Sequence, residues 1–69
     1  MIKYIGKQIR LDKGLTNREL SRKSGISSGT ISKWENGIHL PDLEALDIVA
    51  TALEVKPWQL IEFNGMSYE

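Results

Sequence analysis

The 69 residues predict an all-α domain of five helices. Three observations carry that expectation. Apolar residues recur at three- and four-residue spacings along most of the chain. Thr16, Ser27 and Asp42 stand where a helix N-terminus needs a side-chain acceptor, and Gly14, Gly25 and Gly37 stand where helices must stop. No segment alternates cleanly over several residues, and no turn lies between two β-branched runs, so strands are not expected.

The first helix is placed from Ile2 to Asp12, with Ile2, Ile5 and Ile9 along one face and Gly14 ending it. The second has a capping-box signature, Thr16 followed three residues later by Glu19, and runs to about Lys23 with Leu20 as its apolar anchor. Gly25 marks a turn. The third starts at the Ser27 cap, turns Ile31 and Trp34 inward, and stops at Asn36-Gly37. After the loop Ile38-His39-Leu40-Pro41, Asp42 caps the fourth helix, where Leu43, Leu46, Val49, Ala50 and Leu53 follow the helical period. Pro57 suits the first turn of a short fifth helix with Trp58, Leu60 and Ile61. This gives one domain over residues 1–63 and a short tail over 64–69.

Length and composition restrict the function classes. A chain this short holds one domain and buries only about 60% of its unfolded surface, so association with a copy would help it. It has no cysteine, and the lone His39 cannot build a metal site. Residues Met1 to Lys7 alternate apolar with charged, which fits neither a signal peptide nor a membrane span, so the expected location is the cytoplasm. There is no His–carboxylate constellation and no glycine-rich phosphate loop. An enzyme is therefore not expected, nor a cofactor or small-molecule ligand.

Net charge is zero, but its distribution is lopsided. Residues 1–37 hold eight basic against three acidic side chains, a net of +5, and residues 38–69 hold one against six, a net of −5. Such asymmetry suits a molecule with one polyanion-facing side. The second and third helices with their tight turn concentrate the informative features. Two helices that cross steeply need a small residue where they meet, here Ser21, and a turn residue free in φ, here Gly25. With Ile26, Ile31 and Trp34 facing in, the outer side of the third helix is left as Ser28, Gly29, Ser32 and Lys33. That surface is small and polar enough to approach base edges in a DNA major groove.

These residues resemble the helix-turn-helix domain of the Cro and lambda-repressor-like regulators. The matching stretches are Ile9-Arg10, Lys13-Gly14-Leu15-Thr16, Glu19-Leu20, Ser24-Gly25-Ile26-Ser27, Thr30 to Gly37, Pro41, Ala50, Ala52-Leu53 and Leu60. The resemblance implies a five-helix lambda-repressor-like fold that binds double-stranded DNA as a transcriptional regulator, most simply a homodimeric repressor reading an inverted repeat. It places Asn17 against a phosphate at the start of the second helix. It places Ser28, Gly29, Ser32 and Lys33 where base-reading side chains project, and Asn36 at a phosphate-contacting position. It makes Arg10 and Glu35 a structural ion pair between the first and third helices. Ser27 is chiefly a cap, with a phosphate contact through its backbone amide as a secondary role. Against the family pattern, Asn17 replaces a commoner glutamine, Ser21 an alanine, and Ser24 and Gly6 apolar residues. The loop Ile38-His39-Leu40 replaces lysine or arginine.

Ile38, Leu40, Trp58, Phe63 and Tyr68 are hard to bury in so small a domain, and the expectation is a dimer interface built on Ile38, Leu40, Trp58 and Phe63. The competing function is a protein-interaction module or antitoxin on the same fold, binding DNA weakly. Zero net charge, Gly29 and the apolar loop favour it.

Overall fold

The computed structural model describes residues 1–63, so the tail expected over 64–69, including Tyr68, lies outside the described residues. A short strand β1 (Ile2–Tyr4) comes first, followed by α1 (Gly6–Asp12), α2 (Asn17–Ser24), α3 (Ser28–Glu35) and α4 (Leu43–Leu53). A single 3-10 turn (Pro57–Leu60) then leads into strand β2 (Ile61–Phe63). The five-helix expectation is thus corrected to four α-helices, one 3-10 turn and a two-stranded antiparallel sheet.

Both corrections concern the two ends of the domain and have one cause. Ile2 pairs with Phe63, Lys3 with Glu62 and Tyr4 with Ile61. The Ile5 N–H extends this contact by donating to the Leu60 carbonyl at 2.8 Å. Each strand alone is too short to satisfy its own backbone, and each supplies the other's partner. Ile2 and Ile5 therefore do not belong to the face that carries Ile9; the helix begins only at Gly6. Ile61 is extended, at φ −129° and ψ 152°, rather than helical.

The local signals elsewhere do what their chemistry requires. Thr16 Oγ1 accepts from the Glu19 N–H at 3.1 Å while the Glu19 carboxylate accepts from the Thr16 N–H at 2.8 Å. That second bond is the main reason the Glu19 carboxyl sits below the usual carboxylate range. Ser27 Oγ accepts from Thr30 N–H at 3.2 Å, and Asp42 Oδ1 from Ala45 N–H at 2.8 Å.

The core gathers Leu20, Ile31, Trp34, Leu46, Val49, Ala50, Leu53 and Leu60 with Tyr4, which the helical reading had not placed there. Leu43 keeps the α4 period but stands in the first turn of the helix and is 84% exposed. Tyr4 packs on Trp34 with ring centroids 5.9 Å apart and planes tilted by 58°. Its hydroxyl is buried without a hydrogen-bond partner among the described residues, and burial, aided by the Glu35 charge, pushes it up to about 12. The ring lies directly against Gly6, where a Cβ would run into Tyr4 Oη and Cζ. Gly6 therefore stands at a usually apolar position because Tyr4 already fills that volume.

Gly6→Ala should test this packing. Helix propensity alone would favour alanine by up to about 1 kcal/mol, whereas overpacking costs about 1–3 kcal/mol. The expected outcome is a net loss of stability in denaturant unfolding, part of which returns in a Tyr4→Phe background because the hydroxyl is the nearest obstacle. A Gly6→Ala variant as stable as the parent would show that the ring is free to move.

Candidate nucleic-acid interface

The α2–α3 unit is built around a polar turn. Gly25 adopts the left-handed conformation at φ 76°, and its N–H donates to the Ser21 carbonyl. Ser21 Oγ donates to the Ile26 carbonyl at 2.6 Å, and the Ile26 N–H donates to Ser24 Oγ at 3.2 Å. The two serines that depart from the family pattern thus bind the turn that joins the helices. Their value lay in hydroxyl chemistry, which a size argument for Ser21 did not capture.

Arg10, one of the few charged groups taken into the interior, fixes α3 from behind. Its Nε and Nη2 donate to the two Glu35 oxygens at 2.8 and 3.0 Å, and its Nη1 donates to the Leu15 carbonyl at 2.9 Å. The two side chains are only 8% and 6% exposed. The fork-to-fork geometry ties α1, the α1–α2 connection and the last turn of α3 into one unit. The Glu35 hydrogen bond holds the Arg10 guanidinium yet more firmly protonated.

With α3 held this way, Ser28, Gly29, Lys33 and Asn36 are exposed and Ser32 is half-buried. A Cβ at Gly29 would meet nothing within 4 Å, so this stretch of the helix surface is open. Ser27 is exposed but its hydroxyl is engaged in capping and in a 2.8 Å bond with Thr30 Oγ1. Asn17 is turned inward: its Nδ2 donates to Ser32 Oγ at 2.9 Å and to the Ser28 carbonyl at 3.3 Å. Arg18 and Arg22 line a shallow depression with Ser21 and Ser28, where the exposed side of α2 meets the start of α3. Arg22 had not been singled out from the sequence; its four-residue spacing from Arg18 was the available signal.

The residues expected at a dimer interface separate into groups. Ile38 and Leu40 line an open groove of about 650 Å³ together with Met1, Ile2, Tyr4 and Trp34. Phe63 lies beside Ile2 in the sheet register. Trp58, 69% exposed on the 3-10 turn, is not part of that groove. Among the described residues no group of acidic, histidine or cysteine side chains could hold a metal, and no helix is long and apolar enough to cross a membrane.

Two short helices joined at a left-handed glycine, the second presenting an open polar face, define a helix-turn-helix domain. The chain belongs to the helix-turn-helix family of the Cro/C1 type, whose sequence profile matches residues 7–57. It is 38% identical over 69 residues to the HTH-type transcriptional regulator SlrR of Bacillus subtilis, with 94% of this chain and 45% of that protein aligned. The chain thus spans less than half the length of that relative. It also resembles the crystal structure of a Bacteroides fragilis protein whose DNA-binding assignment is itself provisional. The TM-score is 0.82 at 39% identity, covering 90% of this chain and all of that one.

Removing Glu35 should reveal what the buried pair does. Glu35→Ala leaves the Arg10 guanidinium buried without its carboxylate and is expected to cost about 3–5 kcal/mol in chemical denaturation. Replacing both residues by leucine or methionine should recover much of that loss. Equal losses from the single and the double replacement would mean that packing, not an orphaned charge, sets the cost.

Proposed function

We propose that this chain binds double-stranded DNA through the exposed face of α3 and regulates transcription, acting as a homodimeric repressor on an inverted repeat. The observation that carries the reading is the open, small-side-chain surface at Ser28, Gly29, Ser32 and Lys33, flanked by Arg18 and Arg22 of α2. Cations at the rim neutralise phosphate while small polar groups approach base edges. The family membership, the name of the Bacillus subtilis relative and the +5 net charge of residues 1–37 support it. Lys33 is the one long charged side chain on that face of α3 and is assigned a direct DNA contact; Ser27 and Asn36 contribute backbone or side-chain donors to the phosphates at the two ends of the helix.

Repression would be steric. Two copies related by a two-fold axis would set their α3 helices roughly 34 Å apart, one turn of DNA, and so read an inverted repeat. The exposed apolar residues Ile38, Leu40, Trp58 and Phe63, at 63%, 50%, 69% and 53% exposure, are the surface assigned to that contact. The groove beside Ile38 and Leu40 also favours a second reading, docking of a protein partner on the same fold.

Affinity for duplex DNA should fall steeply between about 50 and 200 mM salt, as phosphate neutralisation requires. Lys33→Ala and charge reversal at Arg18 or Lys7 should weaken it. Fluorescence anisotropy across a salt series measures both effects, and an absence of binding to any duplex at low salt would leave protein docking as the function.

Self-association is checked separately by sedimentation with and without a duplex. Trp58→Ala with Ile38→Ser should lower dimer formation and cooperative DNA binding together. If both persist unchanged, these side chains only cover the core.

A further inference from the structure

We infer that Asn17 is a positioning residue which fixes the Ser32 hydroxyl as an outward hydrogen-bond donor, so that Ser32 selects an acceptor on a DNA base. The inference rests on the DNA-binding reading above and deepens it. It also replaces the phosphate contact expected for the Asn17 side chain.

The argument is one of proton accounting. Nδ2 of Asn17 lies 3.3 Å from the Ser28 carbonyl oxygen, which only accepts, so the nitrogen and not the oxygen of the amide must face α3. The same nitrogen lies 2.9 Å from Ser32 Oγ. The amide has two hydrogens, and these two bonds use both. The opposite end, Asn17 Oδ1, is buried with no partner among the described residues, so the amide is packed in this orientation rather than turning in water.

Ser32 Oγ therefore accepts, and its single proton is left to donate. A helical serine ordinarily returns that proton to the carbonyl four residues back. Here that carbonyl belongs to Ser28, and its two lone pairs are taken by the regular helical N–H of Ser32 and by Asn17. Among the described residues no other acceptor meets the Ser32 hydroxyl. Ser32 is half-buried on the same face as exposed Ser28, one turn away, which leaves its O–H directed out of the protein. In a major groove such a donor matches guanine N7 or O6, thymine O4 or adenine N7, and it opposes the cytosine amino group.

The test selects duplexes from a random pool with the parent chain, Ser32→Ala, Asn17→Ala and Asn17→Asp, and compares base preferences rather than affinity alone. The parent should show, at one position in each half-site, an acceptor-bearing base favoured about three- to tenfold over cytosine, the scale of one hydrogen bond. Ser32→Ala should abolish that preference. Asn17→Ala should relax it at the same position, because the hydroxyl is then free to rotate, and the double variant should match Ser32→Ala. Asn17→Asp should reverse it: the carboxylate accepts a hydrogen bond from the Ser32 hydroxyl, and Oγ then offers lone pairs to a cytosine or adenine amino group. Circular dichroism melting identifies any variant that fails to fold. Loss of the Asn17 side-chain amide shift on Ser32→Ala, followed by nitrogen–proton NMR in the free protein, reports the bond without DNA.

Two results would overturn the proposal. Asn17→Ala could weaken all duplexes equally and leave every base preference in place, which is the mark of a phosphate ligand. Alternatively, Ser32→Ala could leave every base preference unchanged. A parent chain that binds no duplex at low salt defeats the DNA reading itself and is distinguishable from both, since there the amide shift still responds to Ser32→Ala.

Discussion

The bidentate contact between Arg10 and Glu35 is the constraint on which the placement of α3 depends. A helix of eight residues is too short to hold itself in water, so its orientation must come from what packs behind it. Ile31 and Trp34 supply apolar contact, but apolar contact tolerates sliding. The Arg10 fork does not: two bonds to Glu35 and a third to the Leu15 carbonyl fix rotation as well as position. Tyr4 packs on Trp34 close enough to the pair to feel both charges, and Gly6 leaves the room Tyr4 needs. A buried ion pair is weak as a source of stability and strong as a source of geometry, because every misaligned arrangement leaves a charge unpaired. Surface chemistry on α3 requires that kind of accuracy.

On the opposite side, the α2–α3 turn is held by the hydroxyl groups of Ser21 and Ser24. Ser21, Ser24 and Gly25 satisfy the backbone of the turn locally, so the crossing of the helices relies less on burial. Asn17 then ties the start of α2 directly to the middle of α3. The unit is braced by the Arg10–Glu35 charge pair and by neutral polar bonds. This suits a domain whose length limits the size of its core.

Much of this was legible in the sequence, and the physical reason is locality. The Thr16–Glu19 box, the Ser27 and Asp42 caps and the Gly14 and Gly25 stops act within one helical turn, so residue type at fixed spacing determines them. What depends on distant partners was not legible. Ile2, Ile5 and Ile9 fit a helical face, yet Ile2-Lys3-Tyr4 is equally an apolar–charged–apolar strand, and only Ile61-Glu62-Phe63 at the far end of the chain decides between them. Leu43 kept the helical period and still faces water, because period says nothing about where a core ends. The outer face of α3 was visible as a set of residues. That Asn17 spends both amide hydrogens on that helix was not, since a bond across fifteen positions leaves no periodic trace.

The two-stranded sheet also changes how the two exposed surfaces relate. It closes the N- and C-terminal ends of the described chain on each other and carries the apolar side of the sheet past the core, so that Ile2 is 45% exposed beside Phe63. Ile38 and Leu40 line the same groove as Ile2. These loop residues are not independent of α3. The Ile38 and His39 N–H groups donate to the Lys33 carbonyl at 2.8 and 3.3 Å, and Gly37 N–H donates to the Trp34 carbonyl at 3.2 Å. Those bonds satisfy two of the free carbonyls of the last helical turn, Lys33 and Trp34. The groove therefore borders a loop whose backbone is bonded to the last turn of α3. That last turn also carries Glu35, so the loop bonds and the Arg10 pair fix the same end of α3.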